Sequence, residues 1–290
     1  MKINIFLLLM IVAIFPVSCS SKDELIPDPP VVETKGLREV SPFPFGASLG
    51  ISLLKTRIPY RNVVSKEFNS VIAENAMKIG PLHPSENTYF WIDADYLISF
   101  AKGLGIRIHG HTLIWHNSLP SWITNFQGDA AAWENMFKTH IQTVVTHFKG
   151  SVNNMVADFK TRGIPIHGIG LQLHTNSAQS DANLVTAINT AAQTGLQIHI
   201  SELDISLNKD NNQSLVLTDV LSALQAAKYK VIVKTFAALP ASQRYGITTW
   251  NVGDADSWIR GTYNRPDWPL PFDDNYSRKP AYQGILDGLK

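Results

Sequence analysis

Short apolar runs alternate along the chain with longer segments in which apolar residues recur at helical spacing. The apolar runs occupy residues 43–49, 69–73, 106–115, 166–174, 196–205 and 245–252. The helical segments occupy residues 93–103, 130–148, 153–162, 183–194 and 214–239. One face of the segment 93–103, for instance, carries Ala94, Leu97, Ile98 and Ala101. Repeated strand–helix alternation predicts a parallel sheet covered by helices, either a (β/α) barrel or a doubly wound fold.

Polar and aromatic side chains gather where these predicted strands end. They are Glu74, His111, Trp115, His174, Glu202, Asp204 and Trp250. A (β/α) barrel keeps its active site at this end of its strands. No glycine-rich phosphate loop follows the first strand, which disfavours a dinucleotide-binding fold. We therefore predict an α/β protein with a TIM-type (β/α) barrel that is incomplete, with about six parallel strands where a complete barrel has eight.

The composition agrees with one large folded domain. The chain has 290 residues, of which 44% are hydrophobic, so it can bury a sizeable core. Its formal net charge is only +1, which gives no reason to expect nucleic acid as a partner. We expect no metal and no cofactor.

The amino terminus has the pattern of an exported lipoprotein. Residues 1–18 carry Lys2 and then an apolar run, as a signal peptide does, and the run is too short for a confident membrane span. Cys19 follows directly, and residues 20–24 resemble a surface-export signal of outer-membrane lipoproteins. We expect acylation of Cys19, a Pro-rich tether over residues 19–42, a folded domain over 43–290 and an outer-membrane location. The alternative is an ordinary signal peptide with an incidental cysteine.

The apolar run 196–205 contains two acidic residues, Glu202 and Asp204. A carboxylate in such a run is costly to bury unless it is hydrogen-bonded or functional. Glu202 and Asp204 are two positions apart, so they face the same side of a strand and need a shared donor. His174, at the end of the preceding strand, is the natural donor. We expect an Asp204–His174–Glu202 chain, which is either catalytic or a buried structural pairing.

The run ISELDIS at residues 200–206 resembles the nucleophile strand of glycoside hydrolase family 10. Five further runs resemble motifs of that family in the family's order. They are ENAMK (74–78), GHTLIWH (110–116), GIGLQLH (168–174), ITTWNVGDADSWI (247–259) and YSRKPAY (276–282). The resemblance covers roughly residues 43–288. It implies a monomeric endo-β-1,4-xylanase that hydrolyses xylan by the retaining mechanism.

The resemblance also implies roles for individual residues. Glu202 takes the place of the nucleophile, with His174 and Asp204 orienting it. The family's substrate-binding positions correspond to Glu74, Asn75, Lys78, His111, Trp115, Gln172, Trp250 and Trp258. His116 is expected to be a core histidine. The chain departs from the family pattern at Ile79, Ser118 and Asn251, where Trp, Gln and Gly are usual.

One segment of the family is missing. The family's acid/base Glu ends strand four in a Trp-Asp-Val-Val-Asn-Glu-like run, and no such run occurs here. The chain passes from residues 140–142, which resemble the third helix, through residues 148–150, where strand four should begin, into residues 153–163, which resemble the fifth helix. Strand four, helix four and strand five are therefore absent. We expect a helix hairpin or one long helix at this junction, and a sheet that either tightens or stays open there.

The missing segment changes the expected activity. Retaining glycosidases use two carboxyl groups about 5–5.5 Å apart. General acid catalysis contributes about 10²–10⁴-fold, so we expect weak or absent hydrolysis of xylan. Two alternatives are a non-catalytic xylan-binding surface lipoprotein and a truncated gene product without function.

Overall fold

The computed structural model describes residues 34–148 and 167–290. It contains the strands β1 (Phe45–Leu49), β2 (Ser70–Ala73), β3 (Arg107–His109), β4 (Gly168–Leu171), β5 (His174–Asn176), β6 (Gln197–Ser206) and β7 (Arg244–Thr249). All pairings are parallel, and the order is β3-β2-β1-β7-β6-β4, with β5 also paired to β6. The first strand lies next to the last, as in a barrel wall. The predicted parallel, incomplete barrel is confirmed.

Strands β4 and β5 share one position in the sheet. Gly168 of β4 pairs with Gln197 near the start of β6, and His174 of β5 pairs with Asp204 near its end. Between them Leu173 has a φ of 58°, which interrupts the strand. The sheet therefore has six strand positions. In the described part of the chain no strand joins β3 to β4, so these two strands are its edges, at the site of the missing segment.

Helices cover the sheet. They are α1 (Leu37–Val40), α2 (Ile51–Thr56), α3 (Ile58–Glu67), α4 (Ile79–Leu82), α5 (Ile92–Gly103), α6 (Ser121–Thr124), α7 (Ala130–His147), α8 (Asp181–Ala192), α9 (Asp219–Ala237), α10 (Trp258–Tyr263) and α11 (Pro280–Gly288). The predicted apolar face of α5 is buried. Helix α7 begins after Asp129, whose side chain accepts from the N–H of Ala132 at 2.9 Å and so caps the helix.

A buried carboxylate links the two ends of the folded chain. Glu67 Oε2 accepts from the N–H of Leu37 at 2.9 Å and from the hydroxyl of Tyr282 at 2.9 Å. Its other oxygen is 2.6 Å from Nη2 of Arg278. Because Glu67 ends α3, three positions before β2 begins at Ser70, this cluster lies at the amino ends of the strands, away from the predicted active site.

Three expectations are corrected by the structure. Strand β3 ends at His109, and not near Trp115. Its last pair with β2 is His109 with Ile72, and β2 itself ends one residue later, at Ala73, so β3 has no partner strand to continue along. His116 is exposed on a 3₁₀ turn and is not a core residue. The tether ends earlier than residue 42, because Leu37 in α1 is fully buried.

Several expectations fall outside the described residues. They concern the signal peptide, Cys19, most of the tether, the helix at 153–162 and its junction with α7. Within residues 34–148 and 167–290, no helix is long and apolar enough to span a membrane.

Candidate active site

The carboxylate of Glu202 on β6 is buried and contacts three side chains. Its Oε1 is 3.1 Å from Nε2 of His111 and accepts from Nε2 of Gln172 at 3.0 Å. Its Oε2 is 3.1 Å from Nε2 of His174. The segments that follow β3 and β4 and the first residue of β5 therefore supply the groups that hold this carboxylate. These partners compensate for its burial, since Glu202 is only 5% exposed.

His174 joins this carboxylate to Asp204. Its Nδ1 is 2.8 Å from Oδ2 of Asp204, and the same oxygen accepts from Nε1 of Trp258 at 2.7 Å. Parallel pairing of β5 with β6 places His174 opposite Asp204. The two acidic residues, two positions apart, reach the same imidazole. The predicted Asp204–His174–Glu202 chain is confirmed.

The ionisation of this chain follows from its geometry. Burial alone would raise the pKa of Glu202, but His111 and His174 outweigh it and lower the pKa to about 2. Burial alone would lower the pKa of His174, but hydrogen bonds to Asp204 and Glu202 raise it to about 9. At neutral pH His174 is protonated and gives one N–H to each carboxylate. Glu202 is therefore an anion, the state in which a carboxylate can act as a nucleophile.

A second cluster lies at the carboxyl end of β2. Lys78 Nζ donates to Oδ1 of Asn75 at 2.9 Å. The same ammonium is 4.6 Å from the ring centre of Trp115 and 5.4 Å from that of Trp250. Burial lowers the pKa of Lys78, and the negative charges of Glu74 and Glu202 oppose that change. A cation held between two indole rings is suited to hydroxyl groups of a sugar whose C–H faces pack on those rings.

Both clusters open into one cleft with a volume of about 590 Å³. Ten of the eleven predicted residues line it, and the eleventh, Asp204, is the buried partner of His174. The ten are Glu74, Asn75, Lys78, His111, Trp115, Gln172, His174, Glu202, Trp250 and Trp258. Across the residues described, no group of three or more metal-ligating side chains is placed to hold a metal.

Asn251 is a site residue that the sequence analysis treated only as a departure. Its φ is 90°, a conformation that Asn tolerates better than most residues. Its Oδ1 accepts from the N–H of Trp258 at 3.2 Å, and its side chain also hydrogen-bonds Glu74. Burial raises the pKa of Glu74, and this hydrogen bond and Lys78 oppose the rise. Asn251 therefore positions two of the residues that line the cleft, Glu74 and Trp258.

Two further polar residues line the cleft after β3 and were not predicted: Thr112, and Asn117 on the 3₁₀ turn at His116–Ser118. No periodic pattern marks such positions.

The model of the family described as "Glycosyl hydrolase family 10" matches residues 37–154 and 151–288. The two matches together cover most of the chain. The chain belongs to glycosyl hydrolase family 10. Its match to family 10 breaks at residues 151–154, within the stretch where the sequence analysis places the missing segment.

Relatives in family 10 are longer than this chain. The endo-1,4-β-xylanase A of Cellvibrio japonicus is 30% identical, and the alignment covers 89% of this chain and 57% of that protein. The chain thus spans just over half the length of this relative. The alignment runs over 353 residues, 63 more than the 290 residues of the chain, so at least that many positions have no counterpart here.

Solved family 10 structures share the fold. A xylanase 10C from Cellvibrio japonicus in complex with xylopentaose superposes with a TM-score of 0.79 and 27% identity, covering 89% of this chain and 69% of that one. Xylanase 10B from Thermotoga maritima superposes with a TM-score of 0.78 and 25% identity, covering 88% and 98%. The chain is therefore a family 10 glycoside hydrolase by fold and sequence.

The glutamates of this family 10 chain are unevenly placed. Six lie in the described residues, and only Glu74 and Glu202 line the cleft. Glu67 is held at the other end of the sheet, and the exposed ones are Glu39, Glu86 and Glu134. Residues 149–166 contain no Glu.

Proposed function

We propose that the cleft binds β-1,4-xylan, that Glu202 is the nucleophile of a retaining mechanism, and that hydrolysis of xylan is impaired because the acid/base is absent. The observation that carries the proposal is the state of Glu202. It is a buried anion held by His111, Gln172 and His174, inside a cleft lined by aromatic rings and hydroxyl-binding groups.

Formation of the glycosyl-enzyme requires two bond changes. Glu202 forms a bond to the anomeric carbon while the bond from that carbon to the leaving oxygen breaks. The leaving oxygen then needs a proton, which the family's acid/base supplies. Both N–H groups of His174 are directed at Glu202 and Asp204, on the nucleophile's side. Glu74 is held by Asn251 and Lys78 in the binding cluster. Neither group is placed to donate that proton.

Aryl xylobiosides test this proposal because their leaving groups depart without a proton. We expect the protein to release dinitrophenolate from a 2,4-dinitrophenyl β-xylobioside while xylan is cleaved about 10²–10⁴-fold more slowly than by a complete family 10 enzyme. Added azide, which attacks the glycosyl-enzyme without a general base and displaces Glu202, should speed turnover and yield a β-xylobiosyl azide. Glu202→Gln should abolish both reactions. Ordinary turnover of xylan, or aryl release that survives Glu202→Gln, would contradict the proposal.

A non-catalytic role in binding is the second candidate. The complete binding cluster around Lys78, Trp115 and Trp250 favours it, since these groups do not depend on the missing segment. Titration of xylohexaose by calorimetry separates the candidates: binding without cleavage of either xylohexaose or the aryl xylobioside supports the binding role. Absence of binding, together with loss of cooperative unfolding, points to the truncated, functionless product.

We also propose that the chain is a monomeric outer-membrane lipoprotein anchored through Cys19. Support comes from Lys2, the apolar run that follows and the cysteine directly after Ser18. Two or more acyl chains give stable anchoring. Metabolic labelling with an alkyne fatty acid should mark the protein and should fail in Cys19→Ala. Light scattering of the unlipidated protein should give the mass of one chain.

A further inference from the structure

We infer that His83 and His140 form a positioning pair, two neutral imidazoles that fix the distance between Lys78 and Trp115 in the cleft. Neither histidine is among the residues that line the cleft, so each acts through the segment that it holds. The inference rests on the proposed function, because the spacing of Lys78 and Trp115 has a consequence only where the cleft binds a sugar chain.

The positioning pair joins helix α7 to two segments that supply the binding cluster. His140, on α7, is fully buried, and its Nδ1 lies 3.1 Å from Nδ1 of His83. Its Nε2 lies 3.0 Å from the carbonyl oxygen of Leu113. Through this one side chain, α7 therefore contacts both the segment that follows β2 and the segment that follows β3.

Each of these contacts lies close in sequence to a residue of the binding cluster. His83 directly follows the short helix α4, whose N-cap is Lys78. Leu113 lies two residues before Trp115 and packs against the core. The ammonium of Lys78 is 4.6 Å from the ring centre of Trp115. Their separation therefore depends on how α7 holds the two segments together.

The two segments also touch each other directly. Gly80 of α4 packs on the 3₁₀ turn that follows Trp115, where an added Cβ would lie 2.8 Å from the carbonyl oxygen of Ser118. That distance is too short for a carbon atom, so the segments approach as closely as only glycine permits. An alanine at position 80 would push them apart.

Hydrogen-bond chemistry assigns one protonation state to the positioning pair. The carbonyl oxygen of Leu113 can only accept, so Nε2 of His140 carries a proton. A neutral imidazole has one N–H, so Nδ1 of His140 accepts and Nδ1 of His83 donates to it. In the described part of the chain, the buried Nε2 of His83 has no partner. A proton there would have no acceptor, so both rings are neutral and have opposite tautomers.

Within the residues that the structure describes, no carboxylate contacts the positioning pair. Tyr89 stacks on His83 with a ring separation of 4.0 Å, and Nε1 of Trp122 donates to the carbonyl oxygen of His83 at 2.9 Å. The other titratable side chains of the surrounding elements form no hydrogen bond or ion pair with either imidazole. They are Lys78, Glu86, His111, His116, Asp129, Glu134, Lys138 and His147. Burial, and then the neighbouring His140, lower the pKa of His83 to about 4, and burial lowers the pKa of His140.

A proton on the positioning pair therefore favours its separation. Nε2 of His83 is buried while the pair is closed, whereas in an open arrangement that ring is in water with its ordinary pKa near 6.5. The stabilisation of the closed pair is complete above pH 6.5 and is lost as the pH falls towards 4. The equilibrium constant for opening should therefore increase by up to about tenfold for each pH unit in this range.

NMR of the whole protein tests the positioning pair itself. The ring nitrogens should show the Nδ1–H tautomer for His83 and the Nε2–H tautomer for His140 at neutral pH. The indole N–H of Trp122, bonded to the carbonyl of His83, reports opening. Its protection from hydrogen exchange should fall by up to about tenfold per pH unit below 6.5. The same tautomer in both rings, or protection that does not change with pH, would overturn the inference.

Calorimetry with xylohexaose tests the link to Lys78. His140→Phe keeps a ring but removes both hydrogen bonds, and we expect the affinity to fall about five- to tenfold. In this background Lys78→Met should cost less affinity than in the parent, because the ammonium is already displaced from Trp115. His147→Phe, seven residues further along α7, is the matched control and should change neither value. An equal cost of Lys78→Met in the parent and in His140→Phe would refute the link.

Two further variants separate loss of position from loss of folding. His140→Gln, whose amide supplies both a donor and an acceptor, should keep most of the affinity that His140→Phe loses. Gly80→Ala should weaken binding in the same way but leave the pH dependence of Trp122 exchange as it is in the parent. Circular dichroism checks that each variant is folded. A folded Gly80→Ala that binds as tightly as the parent would show that the spacing of the segments does not matter, contrary to the inference.

Xylohexaose binding by the unaltered protein separates this inference from the proposed function. If the unaltered protein does not bind xylohexaose, both proposals fail. If it binds, and folded His140→Phe binds equally well, only the role of the positioning pair is wrong.

Discussion

Nδ1 of His174 lies 2.8 Å from Oδ2 of Asp204, and this contact fixes which atom of the imidazole is left to face Glu202. Because the N–H at Nδ1 donates to Asp204, only the N–H at Nε2 remains to donate to Oε2 of Glu202, at 3.1 Å. His174 therefore couples the two carboxylates: Asp204 fixes the orientation and the positive charge of the imidazole that contacts Glu202. Its ionisation is a measurable property that does not depend on catalysis.

Asp204→Asn should lower the pKa of His174 from about 9 towards its ordinary value near 6.5. Loss of the Asp204 charge removes the first of the two partners that favour the imidazolium. Titration of the imidazole nitrogens by NMR measures this directly. Asp210→Asn, at an exposed acid, is the control and should leave the titration of His174 where it was. An unchanged pKa in Asp204→Asn would mean that Glu202 alone holds the proton.

Stability should fall at both ends of the pH range. The folded-state pKa of Glu202, about 2, is below its ordinary 4.5, so its contribution is complete above pH 4.5 and disappears as the pH falls towards 2. That contribution is of the order of 3 kcal/mol. The folded-state pKa of His174, about 9, is above its ordinary 6.5, so its contribution is complete below pH 6.5 and disappears as the pH rises towards 9.

Thermal melts between pH 2 and pH 10 should therefore show a plateau from about 4.5 to 6.5. In Glu202→Gln the acidic limb should flatten, and the alkaline limb should shrink because His174 has lost one carboxylate. If the melting temperature of Glu202→Gln showed the same pH dependence as that of the parent protein, Glu202 and His174 would be excluded as the source of that dependence.

Lys78→Met should weaken binding of xylohexaose by about 10–150-fold while leaving the fold intact. Methionine keeps the apolar stem between the indole rings of Trp115 and Trp250 but removes the charge and the hydrogen bonds, which are worth about 1.5–3 kcal/mol. Calorimetry gives the affinity. Lys66→Met, at an exposed position of α3, is the matched control. Equal affinity in the two variants would remove Lys78 from the binding site.

Glu67→Ala should destabilise the protein by about 3 kcal/mol without changing xylohexaose affinity. The substitution leaves the guanidinium of Arg278 and the hydroxyl of Tyr282 without their shared acceptor at the amino ends of the strands. Urea unfolding followed by tryptophan fluorescence measures the change. Glu39→Ala, at an exposed acid of α1, should stay within about 0.5 kcal/mol of the parent.

The sequence predicts the six strand positions because each buried strand leaves a compact apolar run. It predicts the Asp204–His174–Glu202 chain because alternation within a strand fixes which residues share a face. The end of β3, by contrast, could not be predicted from the apolar run at residues 106–115. Within residues 110–115, His111, Thr112 and Trp115 line the cleft and Leu113 packs against the core, so this run is apolar without being a strand. The end of β3 is set by its four-residue partner strand, β2.

Asn251, Lys209 and Arg265 show a second limit. Asn251 acts through its φ of 90° and through bonds to Glu74 and to the backbone of Trp258, none of which has a periodic signature. Arg265 and Lys209 lie in irregular segments 56 positions apart, and only the tertiary structure brings them to one space. Such contacts depend on loop paths that composition and spacing do not determine.

Strand β1 lies between β2 and β7, and this arrangement constrains how the protein is made. The N–H of Asn251, just beyond β7, donates to Oγ of Ser48 at 2.9 Å across 203 residues of sequence. During translation β1 emerges early and has a neighbour on one side only until residues 244–249 have left the ribosome. The nascent chain is thus unable to complete its sheet until synthesis is nearly finished, and the edge of β1 that pairs with β7 stays unpaired until then.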